Sequence, residues 1–173
     1  GCRDRAILLL MLGCGLRRGE IPGLMLAHYN IYDRSLSVIG KGNKERRVFL
    51  PDQAAAALNA WINNFRGAEP GRLFGRIYKN GRISLERPMA ARSIGDILAV
   101  RMSSVDSPED AFGRRPKTTS HDLRRTFATR LLDENIDIVT VKNMMGHASV
   151  TTTAQYDRRG EDAQRAAANR VRI

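Results

Sequence analysis

Apolar residues run unbroken from Ile7 to Leu12, and the segment from Arg3 to Leu12 carries them on nearly every side of a helical wheel. That pattern predicts a buried helix rather than an amphipathic surface one. Gly13 and Gly15 are its stop signals. Arg17 falls at or just before a short helix toward Leu26, interrupted early by Pro22 and Gly23. Ser35 to Ile39 and Arg46 to Leu50 are rich in Val, Ile, Leu and Phe and flank Gly40-Lys41-Gly42-Asn43, so they predict a β-hairpin with Lys41 near its tip. Pro51 and Asp52 open the next helix, whose apolar face reads Leu58, Trp61, Ile62 and Phe65.

The second half is punctuated more heavily. Gly67 to Gly71 reads as a loop, Leu73 to Tyr78 as a short strand and Lys79-Asn80-Gly81 as a turn. Ser93 with Asp96 has capping-box spacing and opens a helix that buries Ile94, Ile97, Leu98 and Met102. Ser103 to Thr119 reads as a loop. Ser120 is the expected N-cap of a helix with Asp122 in its first turn and a stripe of Leu123, Phe127 and Leu131. Ile138, Val141 and Met145 form the stripe of the next helix, which Gly146 ends, and Ser149 caps a short one through the three threonines. Glu161 to Arg170 reads as a last helix. Its apolar side is only Ala163, Ala166, Ala167 and Val171, which ties it weakly to its own domain.

Composition changes the picture in one respect. The 173 residues hold 29 Lys and Arg against 18 Asp and Glu, a surplus of +11 that points to a phosphate polyanion as partner. No apolar run approaches the roughly 18 residues of a membrane span, and no signal-peptide pattern opens the chain. Cys2 and Cys14 have neither knuckle nor redox spacing. The expected setting is reducing and cytoplasmic.

The candidate chemistry is ambiguous residue by residue. His121 and Arg124, three apart on one helix, present a proton carrier and a phosphate clamp together, but the same spacing suits a solvated polar face. Gly40 to Lys44 lacks the phosphate-loop pattern and joins two strands, which excludes nucleotide binding. Lys41 is either a solvated turn lysine or a side chain that reaches into a groove as acid or phosphate contact. Tyr156 suits packing, since a phenol with an ordinary pKa of about 10 is a poor nucleophile without nearby cations and a base. His147 suits a helix C-terminus. With only three histidines and no clustered cysteines, no catalytic metal and no other cofactor is expected.

The order of the motifs is more telling than any one of them. Gly15-Leu16-Arg17-Arg18-Gly19-Glu20 is followed by Gly40-Lys41-Gly42-Asn43-Lys44-Glu45-Arg46. Then come His121-Asp122-Leu123-Arg124-Arg125-Thr126-Phe127-Ala128-Thr129, Met145-Gly146-His147 and Thr152-Thr153-Ala154-Gln155-Tyr156. From about Arg3 to Arg159 this series resembles the tyrosine recombinases, the family of phage integrases and chromosome-dimer resolvases. The resemblance implies an α+β fold, mostly helical, with a small antiparallel β-sheet. It implies Arg17, Lys41, His121, Arg124, His147 and Tyr156 as catalytic residues and Glu20 as a supporting one. It implies metal- and ATP-free cleavage and rejoining of DNA strands through a 3′-phosphotyrosyl intermediate.

Double-stranded DNA is the implied partner, with a tetramer on paired sites and a monomer in free solution. The implied setting is nucleoid-associated, in a prokaryote or its phage or mobile element. The whole of 1–173 is expected to be one catalytic domain, with the family's N-terminal DNA-clamping domain absent and 160–173 exchanged between protomers. Asp157 and Arg158 depart from the pattern, since many members carry a histidine two places after the tyrosine. Two other readings use the same residues. One is a non-catalytic regulator with a helix-turn-helix over Ile136 to Tyr156. The other is a type IB topoisomerase or telomere resolvase of the same chemistry.

Overall fold

Helix α1 (Cys2–Cys14) packs against α2 (Asp52–Trp61), and its buried Ala6, Ile7, Leu10, Met11 and Cys14 form the centre of the larger of two hydrophobic clusters. The structure is a computed structural model that describes residues 1–103, 105, 117–160, 165, 168 and 169, with Lys41 described by its backbone alone. Gly13 does not end α1 but lies within it, where a Cβ would stand 3.3 Å from Pro51; the helix ends at Gly15, in the left-handed conformation. Burial pushes the Cys14 thiol up to about 12, which leaves it an inert packing group.

The expected short helix after Arg17 is two 3₁₀ turns, Ile21–Gly23 and Leu26–His28, because Pro22 and Gly23 cannot propagate a longer one. The hairpin is as expected, β2 (Ser35–Ile39) against β3 (Glu45–Phe49) in antiparallel register. A short β1 (Tyr29–Asn30) that lacks any period in the sequence adds a third strand to it. The short strand read within Leu73 to Tyr78 is β4 (Gly75–Ile77), and its partner β5 (Ile83–Pro88) was not legible from alternation. Phe65 is not core: a π-turn over Ile62–Arg66 swings it to 60% exposure, stacked on the buried Trp61. Among the described residues the elements make an α+β fold in which helix predominates.

Helix α3 (Ala91–Ser103) begins before Ser93, which sits in its first turn and is not its cap. Helix α4 (Ser120–Asp133) is capped by Thr119 rather than Ser120. The Thr119 hydroxyl accepts from the Asp122 N–H at 3.3 Å, and the Asp122 carboxylate accepts from the Thr119 N–H at 2.8 Å. The buried stripe of α4 is Arg124, Phe127, Ala128 and Leu132, one step round from the expected Leu123, Phe127 and Leu131. Helices α5 (Ile138–Met145) and α6 (Val150–Ala154) follow, capped by Asp137 and Ser149 as their side-chain oxygens allow. Phe127, Ala128, Leu132, Val141, Met145 and Tyr156 form the second, smaller cluster. The reading of a helix over 161–170 and most of the loop over 103–119 lie outside the described residues.

Candidate active site

The two clusters meet along a seam lined by polar side chains. Gly15 turns the chain out of α1, so Leu16 stays buried and the Arg17 side chain emerges 37% exposed. Glu20 folds back on that turn: its carboxylate accepts from the Arg17 N–H at 2.7 Å and from the Arg17 guanidinium at 2.9 Å. From β3, Arg46 donates to both Glu20 oxygens at 2.8 Å, a two-pronged pair. Burial pushes the Glu20 carboxyl up, but the hydrogen bonds from Arg46 and Arg17 outweigh it and hold the group below its ordinary value.

Across the seam, Gly146 ends α5 in the left-handed conformation and packs under the Arg46 side chain, where a Cβ would stand 3.0 Å from Arg46 Cδ. Arg17 Nη2 donates to the Gly146 carbonyl at 2.9 Å. Arg124, only 4% exposed, donates through one amine to the Gly15 carbonyl and through the other to the Met145 carbonyl. Burial, then the neighbouring Arg17, lowers the Arg124 guanidinium to about 10. The two arginines thus grip the Met145-Gly146 turn from both sides, and that turn presents His147.

His147 Nδ1 lies 2.9 Å from the hydroxyl of the fully buried Thr153. Burial first, then the charges of Arg124, Arg17 and Arg46, lower the ring to about 4, so it is neutral at pH 7. When Thr153 donates to Nδ1, the single ring proton sits on Nε2, the nitrogen free to donate outward. Tyr156 is 7% exposed and its ring neighbours two imidazoles, with centroids 6.4 Å from His121 and 6.2 Å from His147. Its hydroxyl is 3.4 Å from His121 Nε2, the long end of a hydrogen bond. Asp157 pairs with Arg159 at 2.7 Å and so braces the segment after the tyrosine.

Six of the seven expected residues therefore converge. The seventh, Lys41, has its backbone at the hairpin tip, where the Gly40 N–H donates to the Lys44 carbonyl at 2.8 Å. Arg46 and Thr153 were missed. The available signal for Arg46 was its strand period: it shares a face with buried Val48, so an arginine points toward the core. Among the described residues, no three His, Cys, Asp or Glu side chains gather as a metal site, and no helix is long and apolar enough to cross a membrane. The helix-turn-helix alternative fails on size, since α6 is five residues long and buries Thr153.

With this geometry in place, comparison with known proteins is direct. The sequence profile of the Phage integrase family matches residues 1–162. The tyrosine recombinase XerC of Chlorobaculum tepidum is 37% identical over 158 residues, which are 89% of this chain and 44% of that protein. The tyrosine recombinase XerD of Lacticaseibacillus casei is 33% identical over 161 residues, 90% of this chain and 50% of that protein. Among solved structures, XerA recombinase superposes with a TM-score of 0.74 at 26% identity, covering 99% of this chain and 60% of that one. The chain belongs to the phage integrase family, and its relatives here carry the name tyrosine recombinase. It spans about half the length of the curated relatives it matches.

Proposed function

We propose that this chain is the catalytic region of a site-specific DNA recombinase that cuts and rejoins strands through a 3′-phosphotyrosyl intermediate. The observation that carries the reading is the seam itself: a tyrosine hydroxyl 3.4 Å from an imidazole nitrogen, beside a turn held by two arginines. Tyr156 Oη attacks the scissile phosphorus and the 5′ oxygen leaves. The phosphorus–oxygen bond broken is replaced by one to the tyrosine, so no ATP is consumed. His121 takes the phenol proton. Arg17, Arg124 and His147 Nε2 stabilise the charge that develops on the non-bridging oxygens, the largest contribution to such catalysis. Lys41 protonates the leaving 5′ oxygen. Glu20 orients Arg17 and transfers no proton. Cations carry the charge stabilisation, so the chemistry needs no metal. Double-stranded DNA is the partner, in keeping with the surplus of +11 and with bacterial relatives named as recombinases. The working assembly is a tetramer on paired sites.

The test is incubation with a pool of nicked suicide duplexes of varied sequence, read on denaturing gels. A covalent adduct is expected for the native chain. Tyr156→Phe should lose the adduct and keep DNA binding, because only the nucleophile is removed. An adduct that persists in this variant overturns the assignment. Relaxation of plasmids without exchange between paired sites would move the chain to the topoisomerase reading.

A further inference from the structure

A cavity of about 500 Å³ lies beside the site, bordered by the hairpin on one side and by α5 and the turn that follows it on the other. Arg17, Arg46 and His147 border it, and so do Lys44 from the hairpin and Lys142 from the last turn of α5. Tyr156, His121 and Arg124 do not border it. The cavity is therefore a neighbour of the reacting centre that shares two of its walls.

Its charge is not balanced. Arg17 and Arg46 share one carboxylate, that of Glu20. Glu45, the one acidic residue on the wall, is exposed. Among the described residues neither Lys44 nor Lys142 forms an ion pair, and the Arg46 Nε is buried without a hydrogen-bond partner. Four cations thus face a space with one carboxylate on its wall, and the Glu20 carboxylate behind it is already shared by two of them. Lys142 is half-buried, so part of its stem lies against the wall while its ammonium reaches the cavity. At the rim, burial first and then the charges of Arg124, Arg17 and Arg46 keep the His147 ring low.

We propose that this cavity binds a second DNA phosphodiester, the neighbour of the scissile phosphate on the cut strand, and that Lys142 and Lys44 are the side chains that hold it. The proposal rests on the recombinase reading, since a scissile phosphate at Arg17 and His147 is what brings the adjoining phosphate to the cavity that these two residues border. A lysine is a compact point charge with rotatable donors, which suits a backbone phosphate whose exact approach shifts during strand exchange. The contact carries no sequence information. It fixes the register of the strand, so that Tyr156 meets one phosphorus and not the next.

The test is a scan in which each phosphodiester near the cleavage point is replaced in turn by a neutral methylphosphonate, with affinity measured for the native chain and for Lys142→Gln. One position on one side of the scissile phosphate should weaken the native chain by roughly 5-fold, the scale of one solvent-edge charged contact. That position should have a smaller effect in Lys142→Gln and none when Lys44→Gln is added, and Lys142→Arg should restore it. The variant should also flatten the slope of log K against log salt by about 0.9, one phosphate's worth of counterion release. Lys142→Met, which keeps the buried stem, repeats the measurement if the glutamine variant unfolds early. Equal penalties at every position in native chain and variant overturn the proposal. So does saturable binding of pyrophosphate that depends on Lys142 without any coupling to a methylphosphonate, which would make the cavity a small-anion site. Adduct formation by the native chain on the suicide duplex is read in parallel, so absence of any adduct indicts the recombinase reading and absence of coupling indicts the cavity alone.

Discussion

The two hydrophobic clusters are built by different means. The larger, around α1, α2 and the three-stranded sheet, fills with large aliphatic and aromatic side chains such as Leu10, Leu58, Trp61 and Phe74. Each of these contributes roughly 1.5–3 kcal/mol by burial, so this part holds its shape through packing. The smaller, on α4 to α6, has six buried members among the described residues, one of which is Tyr156 itself. It is tied to the larger by directed polar bonds: Arg124 to the Gly15 carbonyl, Arg17 to the Gly146 carbonyl, and Gly146 under Arg46. Apolar contacts join them as well, Phe127 over Gly15 and Leu123 of α4 against the larger cluster. The lesson is that Arg17 and Arg46 belong to one core and the nucleophile to another, and the polar seam sets how their side chains meet.

That contrast orders the expected effects of substitution. Arg124→Ala removes both a phosphate donor and the link from Gly15 to Met145, and is expected to slow adduct formation by about 100-fold or more. Arg124→Lys should recover little, because one ammonium cannot span two carbonyls on opposite sides of the seam. Single-turnover rates on a suicide duplex check this, and an alanine variant at native speed would separate the seam from the chemistry.

Gly15→Ala comes next. The added Cβ would lie 2.5 Å from Phe127 Cδ1, and the residue holds φ at +61°, so clash and backbone strain combine. A loss of about 2–3 kcal/mol in urea unfolding is expected. Phe127→Leu in the same chain should relieve the clash but not the strain. A loss within about 0.5 kcal/mol would mean that the clusters are not locked at this contact.

Glu20→Gln should cost less, about 2 kcal/mol, since the amide keeps some hydrogen bonds but one of its two ends repels the Arg46 and Arg17 donors. Adduct formation should slow as well, because Arg17 loses its brace; unchanged kinetics with lowered stability would confine Glu20 to folding.

The smallest effect is one of pH. The folded value of His147 is about 4 against an ordinary 6.5, so between those values the unfolded chain binds the extra proton. Stability is fully present above that window and falls as pH drops through it. The ring is partly exposed and solvent screens it, so the loss should be well short of the full shift. His147→Gln should flatten urea-unfolding stability over the same window, and an unchanged pH slope would place the proton elsewhere.

Much of this was legible from local order. Buried-helix patterning found α1, alternation and turn residues found the hairpin, and Gly146 and Ser149 marked the ends of α5 and α6. The spacing of His121 and Arg124 put them on one helix, and the order of motifs pointed to the family. These features depend on neighbours within a few positions, where backbone geometry dictates which side chains share a face. The rest depends on partners far along the chain. Arg17 and Gly146 are 129 residues apart, and nothing in either neighbourhood announces their bond. Arg124 looks like a polar-face residue until the packing of α4 against α1 encloses it, and Phe65 looks like core until the π-turn after α2 swings it outward. Arg46 shows the division most clearly: its strand period aimed it inward, but the carboxylate that makes this tolerable, Glu20, lies 26 residues earlier and reaches it only in the folded chain. A buried charge must be matched by a partner within hydrogen-bond reach. The chain's order supplies the charge, and three-dimensional packing supplies the match.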